Sequence, residues 1–105
     1  MKEDYSSLED RIVFVLKRIY DPEIPVDIYE LGLIYDIQIS HEKEVKIVMT
    51  LTTSNCPVAD SLPIKVKDKV QSIEEIKKVD VVLTFDPPWR REFMSEEARL
   101  ELGML

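Results

Sequence analysis

The chain contains one cysteine, Cys56, which lies between a predicted strand and a predicted helix. Residues 45–51 alternate between apolar and less apolar side chains, the period-two pattern of a half-buried strand. From residue 59 onward, apolar residues recur every three or four positions, which is typical of one face of a helix. Pro57 suits the first helical position, where its missing N–H has no intrahelical partner to lose. The pattern therefore predicts that Cys56 lies at or next to the N-cap.

A thiol at the N-terminus of a helix lies near unpaired backbone N–H groups and the positive end of the helix dipole. Both favour the thiolate and lower the thiol pKa below its usual value of about 8.5. Such a thiolate can be a nucleophile, a metal ligand or a redox sensor, whereas a lone cysteine can also be a small buried apolar residue. Pro57, the polar approach Thr52–Asn55 and the lack of any other cysteine favour a functional thiol.

The remaining elements follow from periodicity and capping signals. A Ser6–Glu9 capping box begins a first amphipathic helix, which should end before Asp21 because the residue preceding a proline avoids the helical region. Strands from residues 33 and 45 form a hairpin around the polar segment 41–44, and residues 79–85 form a third strand. Ser95 caps a short last helix that ends at Gly103.

These elements predict an α+β domain spanning residues 1–105, with the order α-β-β-α-β followed by a short C-terminal helix. The hairpin makes the first two strands antiparallel, and a right-handed crossover brings the third strand beside the first, giving a mixed sheet of order 2-1-3. Both long helices then cover one face, and Pro63 should kink the second helix or confine its regular part to later residues. A homodimer or the C-terminal segment is expected to cover the other face, where Ile34, Val48 and Val82 lie among polar residues.

In this arrangement the ends of the second and third strands meet at one edge of the sheet, and the exit of the first helix can reach the same edge. We predict that the functional residues form one shallow pocket there, which Trp89 helps to wall: Asp21, Glu23, Thr53, Cys56 and Pro57. The alternative is that the two acidic residues only cap and turn the chain.

Composition excludes several classes of protein. A net charge of −7 argues against nucleic-acid binding, which needs clustered Lys and Arg, and two glycines are too few for a Gly-rich phosphate loop. The apolar runs are too short to span a bilayer. One cysteine and no signal-like N-terminus predict a reducing cytoplasm. His41, at the hairpin tip, is expected to be solvated and far from Cys56, which disfavours a Cys–His dyad.

Four segments resemble the SufT/PaaD-like family of iron–sulfur cluster assembly domains: Asp21–Tyr35, Thr52–Pro57, Asp86–Trp89 and Met94–Arg99. The likeness covers nearly the whole chain and is greatest to stand-alone bacterial SufT-type proteins. It is more distant to PaaD and the eukaryotic cytosolic iron–sulfur targeting proteins. The resemblance implies an auxiliary maturation factor, not an enzyme, whose partners are the assembly machinery and client apo-proteins. It implies that Cys56 is the functional residue and that Asp21 and Glu23 line its pocket.

The chemistry of the residues limits the mechanism. A thiolate is a soft ligand for iron and clusters, and carboxylates suit iron(II), but a cluster usually needs four thiolates and a dimer of this chain supplies two. We therefore expect a transfer role with labile iron or cluster binding at Cys56. The alternatives are a PaaD-like protein–protein adaptor that binds no metal, and a thiol-dependent enzyme, which would lack a base near Cys56 apart from the carboxylates.

Overall fold

The structure is a computed structural model that describes residues 7–21, 24–52 and 56–103, with the backbone alone for residues 56–60. Its elements, in chain order, are α1 (Leu8–Leu16), β1 (Ile34–Ile39), β2 (Glu44–Met49), α2 (Cys56–Gln71), β3 (Lys78–Leu83), a 3-10 helix (Arg91–Phe93) and α3 (Glu96–Glu101). This order of helices and strands is the predicted one, and the α+β class is confirmed.

The sheet has the order β1-β2-β3, so the predicted order 2-1-3 is wrong. β2 pairs antiparallel with β1 and parallel with β3. A right-handed crossover is compatible with either order, so handedness could not decide between them. The side chains of β2 are buried more fully than those of β1. Val45, Ile47 and Met49 are at most 2% exposed beneath the helices, whereas Ile39 on β1 is 36% exposed, as an edge strand allows.

The alternation of side chains along β1 changes at a register irregularity between Ile34 and Asp36. Ile34 lies opposite Met49 and packs against the core, not on the open face where the sequence pattern placed it. An extra residue in one strand shifts every side chain before it to the other face. Counting alternate residues cannot foresee such a shift.

The first helix begins one residue later than the capping box predicted. Ser7 is the N-cap, and its Oγ accepts a hydrogen bond from the Asp10 N–H at 3.0 Å; the predicted cap, Ser6, lies outside the described residues. Ile12 and Leu16 are fully buried on the helix face that the periodicity indicated. The helix stops at Leu16.

The second helix runs without a break through Pro63, so the proline does not confine the regular helix to the residues beyond it. Leu62, Val66 and Val70 place its apolar face in the core. Because a proline has no N–H, only one intrahelical hydrogen bond is lost at this position. Leu62 before Pro63 and Val66 after it are both buried in the core, and this burial keeps the helix continuous.

The two long helices pack on the same face of the sheet, where their apolar residues join those of β2 and β3 in one core. On the opposite face Val48 is half-buried and Val82 is exposed. The C-terminal segment reaches the start of β1, where the Tyr35 hydroxyl donates a hydrogen bond to the carbonyl of Pro87 at 2.8 Å. The segment therefore contacts one end of the sheet and leaves Val82 open.

Candidate functional site

Cys56 is the first residue of α2, one position further into the helix than the N-cap, and Pro57 is the second. The N–H groups of the first helical turn have no intrahelical acceptor, so Pro57 costs no hydrogen bond at this place either. The chain reaches Cys56 from the end of β2. There the Thr50 N–H donates to the carbonyl of Leu33 at 2.8 Å, and the Thr84 N–H donates to the carbonyl of Met49 at 2.9 Å. The helix containing the cysteine therefore begins at the end of the central strand.

Asp21 is buried near the exit of α1, with 4% of its surface exposed. One carboxylate oxygen, Oδ1, accepts a hydrogen bond from the Ile24 N–H at 3.1 Å, and the Asp21 N–H donates to the carbonyl of Val26 at 3.3 Å. Oδ1 thus holds the turn that follows the helix, which is the structural role that the sequence left open as an alternative.

A series of backbone hydrogen bonds connects the exit of α1 with the end of β2. The Ile28 N–H donates to Ile19 at 2.8 Å, the Leu33 N–H donates to Ile28 at 3.1 Å, and the Thr50 N–H donates to Leu33 at 2.8 Å. Asp21 follows Ile19, whose carbonyl accepts the first of these hydrogen bonds, by two residues in the chain. The exit of α1 therefore lies at the same edge of the sheet as the end of β2, which is the relation that the predicted pocket requires.

Several predicted pocket residues lie outside the described part of the chain. Glu23 and Thr53 are not described, nor are the side chains of Cys56 and Pro57. The pocket that would unite them with Asp21 therefore stays a prediction.

Asp27 organises the turn that follows, and the sequence reasoning did not single it out. Its Oδ2 accepts hydrogen bonds from the N–H groups of Tyr29 and Glu30, at 3.1 and 3.0 Å. Partial burial raises the pKa of this carboxyl above its ordinary value of 3.8, and the two N–H donors act in the opposite direction. The spacing Asp27-x-x-Glu30 has the form of a capping box and was the available signal.

The C-terminal segment is fastened to this turn at two points. The Trp89 indole Nε1–H donates a hydrogen bond to the carbonyl of Leu31 at 2.7 Å, and the Ser95 N–H donates to the carbonyl of Glu30 at 2.8 Å. Trp89 is half-buried and packs against the core. These contacts fix the segment after β3 at the edge of the sheet where α2 begins. The predicted role of Trp89 as a wall of the cysteine pocket is not tested by them.

His41 is exposed in the β1–β2 turn, as predicted. That turn and Cys56 lie at opposite ends of β2, a six-residue strand that spans about 20 Å. A hydrogen bond between the imidazole and the thiol is therefore excluded, and with it a Cys–His dyad.

Among the residues whose side chains are described, 7–21, 24–52 and 61–103, no group of three or more His, Cys, Asp or Glu side chains is arranged to hold a metal ion. In the same part of the chain, no helix has the length and apolar character needed to cross a bilayer.

The fold and the site define a small α+β protein with one cysteine at the turn from its central strand into a helix. Residues 9–83 match the family described as "Iron-sulfur cluster assembly protein". The chain belongs to this family and has a role in iron–sulfur cluster assembly. The resemblance drawn from the motifs, and the role in iron–sulfur cluster assembly expected from it, are confirmed.

Two curated relatives and one solved structure illustrate the relation. A Porphyromonas gingivalis protein named "Fe-S protein maturation auxiliary factor" is 47% identical over 105 residues, which are 100% of each chain. The Staphylococcus aureus "Fe-S protein maturation auxiliary factor SufT" is 35% identical over 86 residues, covering 82% of this chain and 98% of the relative. The crystal structure of a "Domain of Unknown Function DUF59" from Bacillus anthracis has a TM-score of 0.85 at 33% identity, covering 93% of each chain.

Proposed function

We propose that this protein is an auxiliary factor that passes iron or an iron–sulfur cluster to client apo-proteins, with the Cys56 thiolate as the point of attachment. The observation that carries the proposal is the position of Cys56 as the first residue of α2, at the end of the central strand. Unpaired N–H groups and the helix dipole favour an anion there. The partners are the iron–sulfur assembly machinery, which supplies the cargo, and the clients that receive it.

A single thiolate suits transfer better than storage. Clusters are usually held by four cysteines, and this chain has one. Iron or a cluster attached through one protein ligand keeps coordination positions open to a client's thiolates. As those thiolates bind, they replace the Cys56 thiolate. Cys56 is released as a thiolate, and iron and sulfide keep their oxidation states.

The carboxylates complete the proposed site. Carboxylate oxygens suit iron(II) better than they suit a cluster, whose iron prefers sulfur. Asp21, which is buried at the exit of α1, and Glu23 would therefore stabilise iron delivered as the bare ion. Thr53 and Pro57 would shape the pocket around the sulfur.

The proposal assigns no catalytic residue, in keeping with the names of the relatives, which are auxiliary maturation factors. It sets the protein in the reducing cytoplasm, where an unpaired thiol persists.

A second candidate function is that of a PaaD-like adaptor that joins metalloenzyme clients to their assembly machinery and binds no metal. The observation in its favour is the same cysteine count, since one thiol per chain falls three short of the usual cluster ligand set. In this case the edge of the sheet where α2 begins is a docking surface.

Anaerobic reconstitution with iron and sulfide distinguishes the two functions. Wild type and Cys56→Ser are compared by bound iron, acid-labile sulfide and visible spectrum. Iron with sulfide that depends on Cys56 supports cluster transfer, and iron without sulfide supports delivery of the ion. If neither protein binds metal or develops colour, the proposal is contradicted and the adaptor is favoured.

Maturation of a client in cells tests the same proposal without reconstitution. We expect Cys56→Ser to lower the activity of cluster-dependent enzymes while the variant folds normally. Asp21→Asn should lower it less, because the amide can still accept the hydrogen bond from Ile24. The matched control is Asp36→Asn on exposed β1, which should leave maturation unchanged. Full maturation with the serine variant would exclude a role for the thiolate.

A further inference from the structure

A groove with positive charge runs along the exposed side of α2 and into the gap between α2 and the end of α1. It consists of two cavities of about 640 and 400 Å³ that share Lys69 and Ser72. Arg18, Lys65 and Lys69 supply three cations, against one acidic residue, Asp68. In a chain of net charge −7, this local excess of positive charge is unusual. We call these two cavities the basic groove.

The basic groove also presents apolar surface. Ile64 is 60% exposed and Phe14 is 42% exposed, and the Arg18 guanidinium lies 5.5 Å from the centre of the Phe14 ring. Large apolar side chains flanked by cations are suited to a segment that combines an apolar side chain with carboxylates.

The same molecule carries such a segment on the other side of α1. A third cavity, of about 480 Å³, has four acidic residues and one cation in its lining: Asp27, Glu30, Glu97, Glu101 and Lys17. At its rim, Leu100 of α3 is 64% exposed and lies between Glu97 and Glu101 in the sequence. We call the exposed residues Glu97, Leu100 and Glu101, which form the α3 side of this cavity, the acidic ridge.

The exposed side of α1 separates the two surfaces. Phe14 and Arg18 line the basic groove, while Lys17 lines the cavity beside the acidic ridge and lies 3.5 Å from Glu30. Lys17 caps the end of α1 and Arg18 follows it in a turn. Because their side chains line different cavities, they diverge to either side of this end of the helix. Opposite charges thus flank one helix, on neighbouring surfaces.

We propose that a second copy of this chain occupies the basic groove with its acidic ridge, and that the contact is made twice in a symmetric dimer. A two-fold axis through the exposed side of α1 exchanges the two flanks, so each acidic ridge faces the partner's basic groove. This is the self-complementary arrangement that an isologous interface requires. Leu100 enters between Phe14 and Ile64, and the carboxylates of Glu97 and Glu101 face Arg18 and Lys69.

The dimer is measured by sedimentation velocity over a range of protein concentrations. We expect dimerisation in about 20 mM salt and weaker association in about 500 mM salt, because the Debye length falls from about 20 Å to about 4 Å. Lys69→Glu and Glu101→Lys should each raise the dissociation constant about tenfold or more, since each places like charges across both contacts. Circular dichroism checks that the variants are folded.

A mixture of the two variants gives the sharpest test. In a heterodimer of Lys69→Glu with Glu101→Lys, one contact has the wild-type charges and the other has them exchanged, so both contacts are again attractive. We expect each variant alone to be monomeric at a concentration where the equimolar mixture is dimeric. This recovery cannot come from a folding defect in either variant.

Matched controls are Lys46→Glu and Glu42→Lys, which make the same charge changes at exposed residues outside both surfaces. They should leave the dissociation constant unchanged. If the protein is monomeric at every concentration and at both salt levels, the proposal is overturned. That result is expected if the basic groove binds an acidic segment of another protein. Loss of the dimer in Lys46→Glu alone also overturns it, because that result places the interface on the open face of the sheet.

Discussion

The carbonyl of Phe93 lies directly over the Cα of Gly32. A Cβ at position 32 would be 2.2 Å from that carbonyl oxygen, and Gly32 has a φ of +83°. Both facts require glycine, because other residues avoid this φ and any side chain would meet backbone. Through this contact, the segment that follows β3 rests on the turn that leads into β1.

Gly32→Ala should therefore lower the free energy of unfolding by more than about 3 kcal/mol, which combines backbone strain with displacement of the 3-10 helix. Gly103→Ala is the matched control. Gly103 has a φ of +75°, but a Cβ there would meet nothing within 4 Å, so we expect a loss of about 1 kcal/mol from strain alone. Urea unfolding measures both. Equal losses would show that the contact with Phe93 contributes nothing.

Trp89→Phe tests how firmly the C-terminal segment is held. The substitution keeps an aromatic ring but removes the Nε1–H that donates to Leu31, leaving the carbonyl of this buried residue without that partner. We expect a loss of about 1 kcal/mol in the free energy of unfolding, measured by circular dichroism because Trp89 is the only tryptophan. Phe85→Leu, at an exposed position, should change stability less. A larger loss in the control would contradict this ranking.

Asp27→Asn should change the pH dependence of stability. Burial raises the pKa of Asp27 above 3.8, with the charge of Glu30 acting in the same direction. The folded state therefore holds this proton more tightly, so the group's contribution to stability falls as the pH rises through the folded-state pKa. Asparagine keeps an oxygen for the Tyr29 and Glu30 N–H groups but does not titrate.

The measurement is urea unfolding of wild type and Asp27→Asn at about pH 4 and about pH 7. We expect the stability of the variant, relative to wild type, to be higher at the upper pH than at the lower one. Asp36→Asn is the control, at an exposed position. A difference between Asp27→Asn and wild type that is the same at both pH values would contradict the effect of burial.

Alkylation of Cys56 by iodoacetamide tests the expected thiolate. Because the residue begins α2, N–H groups and the helix dipole should lower the pKa of its thiol, and the midpoint of the rate against pH should fall below about 8.5. The same chain unfolded in urea gives the unshifted midpoint as the internal control. A folded protein with the same midpoint as the unfolded chain, or a higher one, would argue for the small buried apolar cysteine.

Local patterns in the sequence predicted most of the elements, because helix faces, caps and stops depend on residues a few positions apart. Ile12 and Leu16 are buried on α1, Ser95 caps α3 through the Ala98 N–H, and Gly103 follows the last helix with positive φ. The four segments that resemble the SufT/PaaD-like family likewise predicted the family correctly. The capping signal missed the start of α1 by one residue, because Ser7 and not Ser6 is the cap.

The tertiary structure decided which strands are neighbours and where distant segments meet. Handedness allowed two sheet orders, and the pairing of β2 with both other strands decided between them. The irregularity at Ile34, the hydrogen bond from Trp89 to Leu31 and the carbonyl over Gly32 all join residues that no short spacing relates. Local sequence sets each segment's own conformation, but the partners of a segment are chosen by the burial and hydrogen bonding of the whole chain at once.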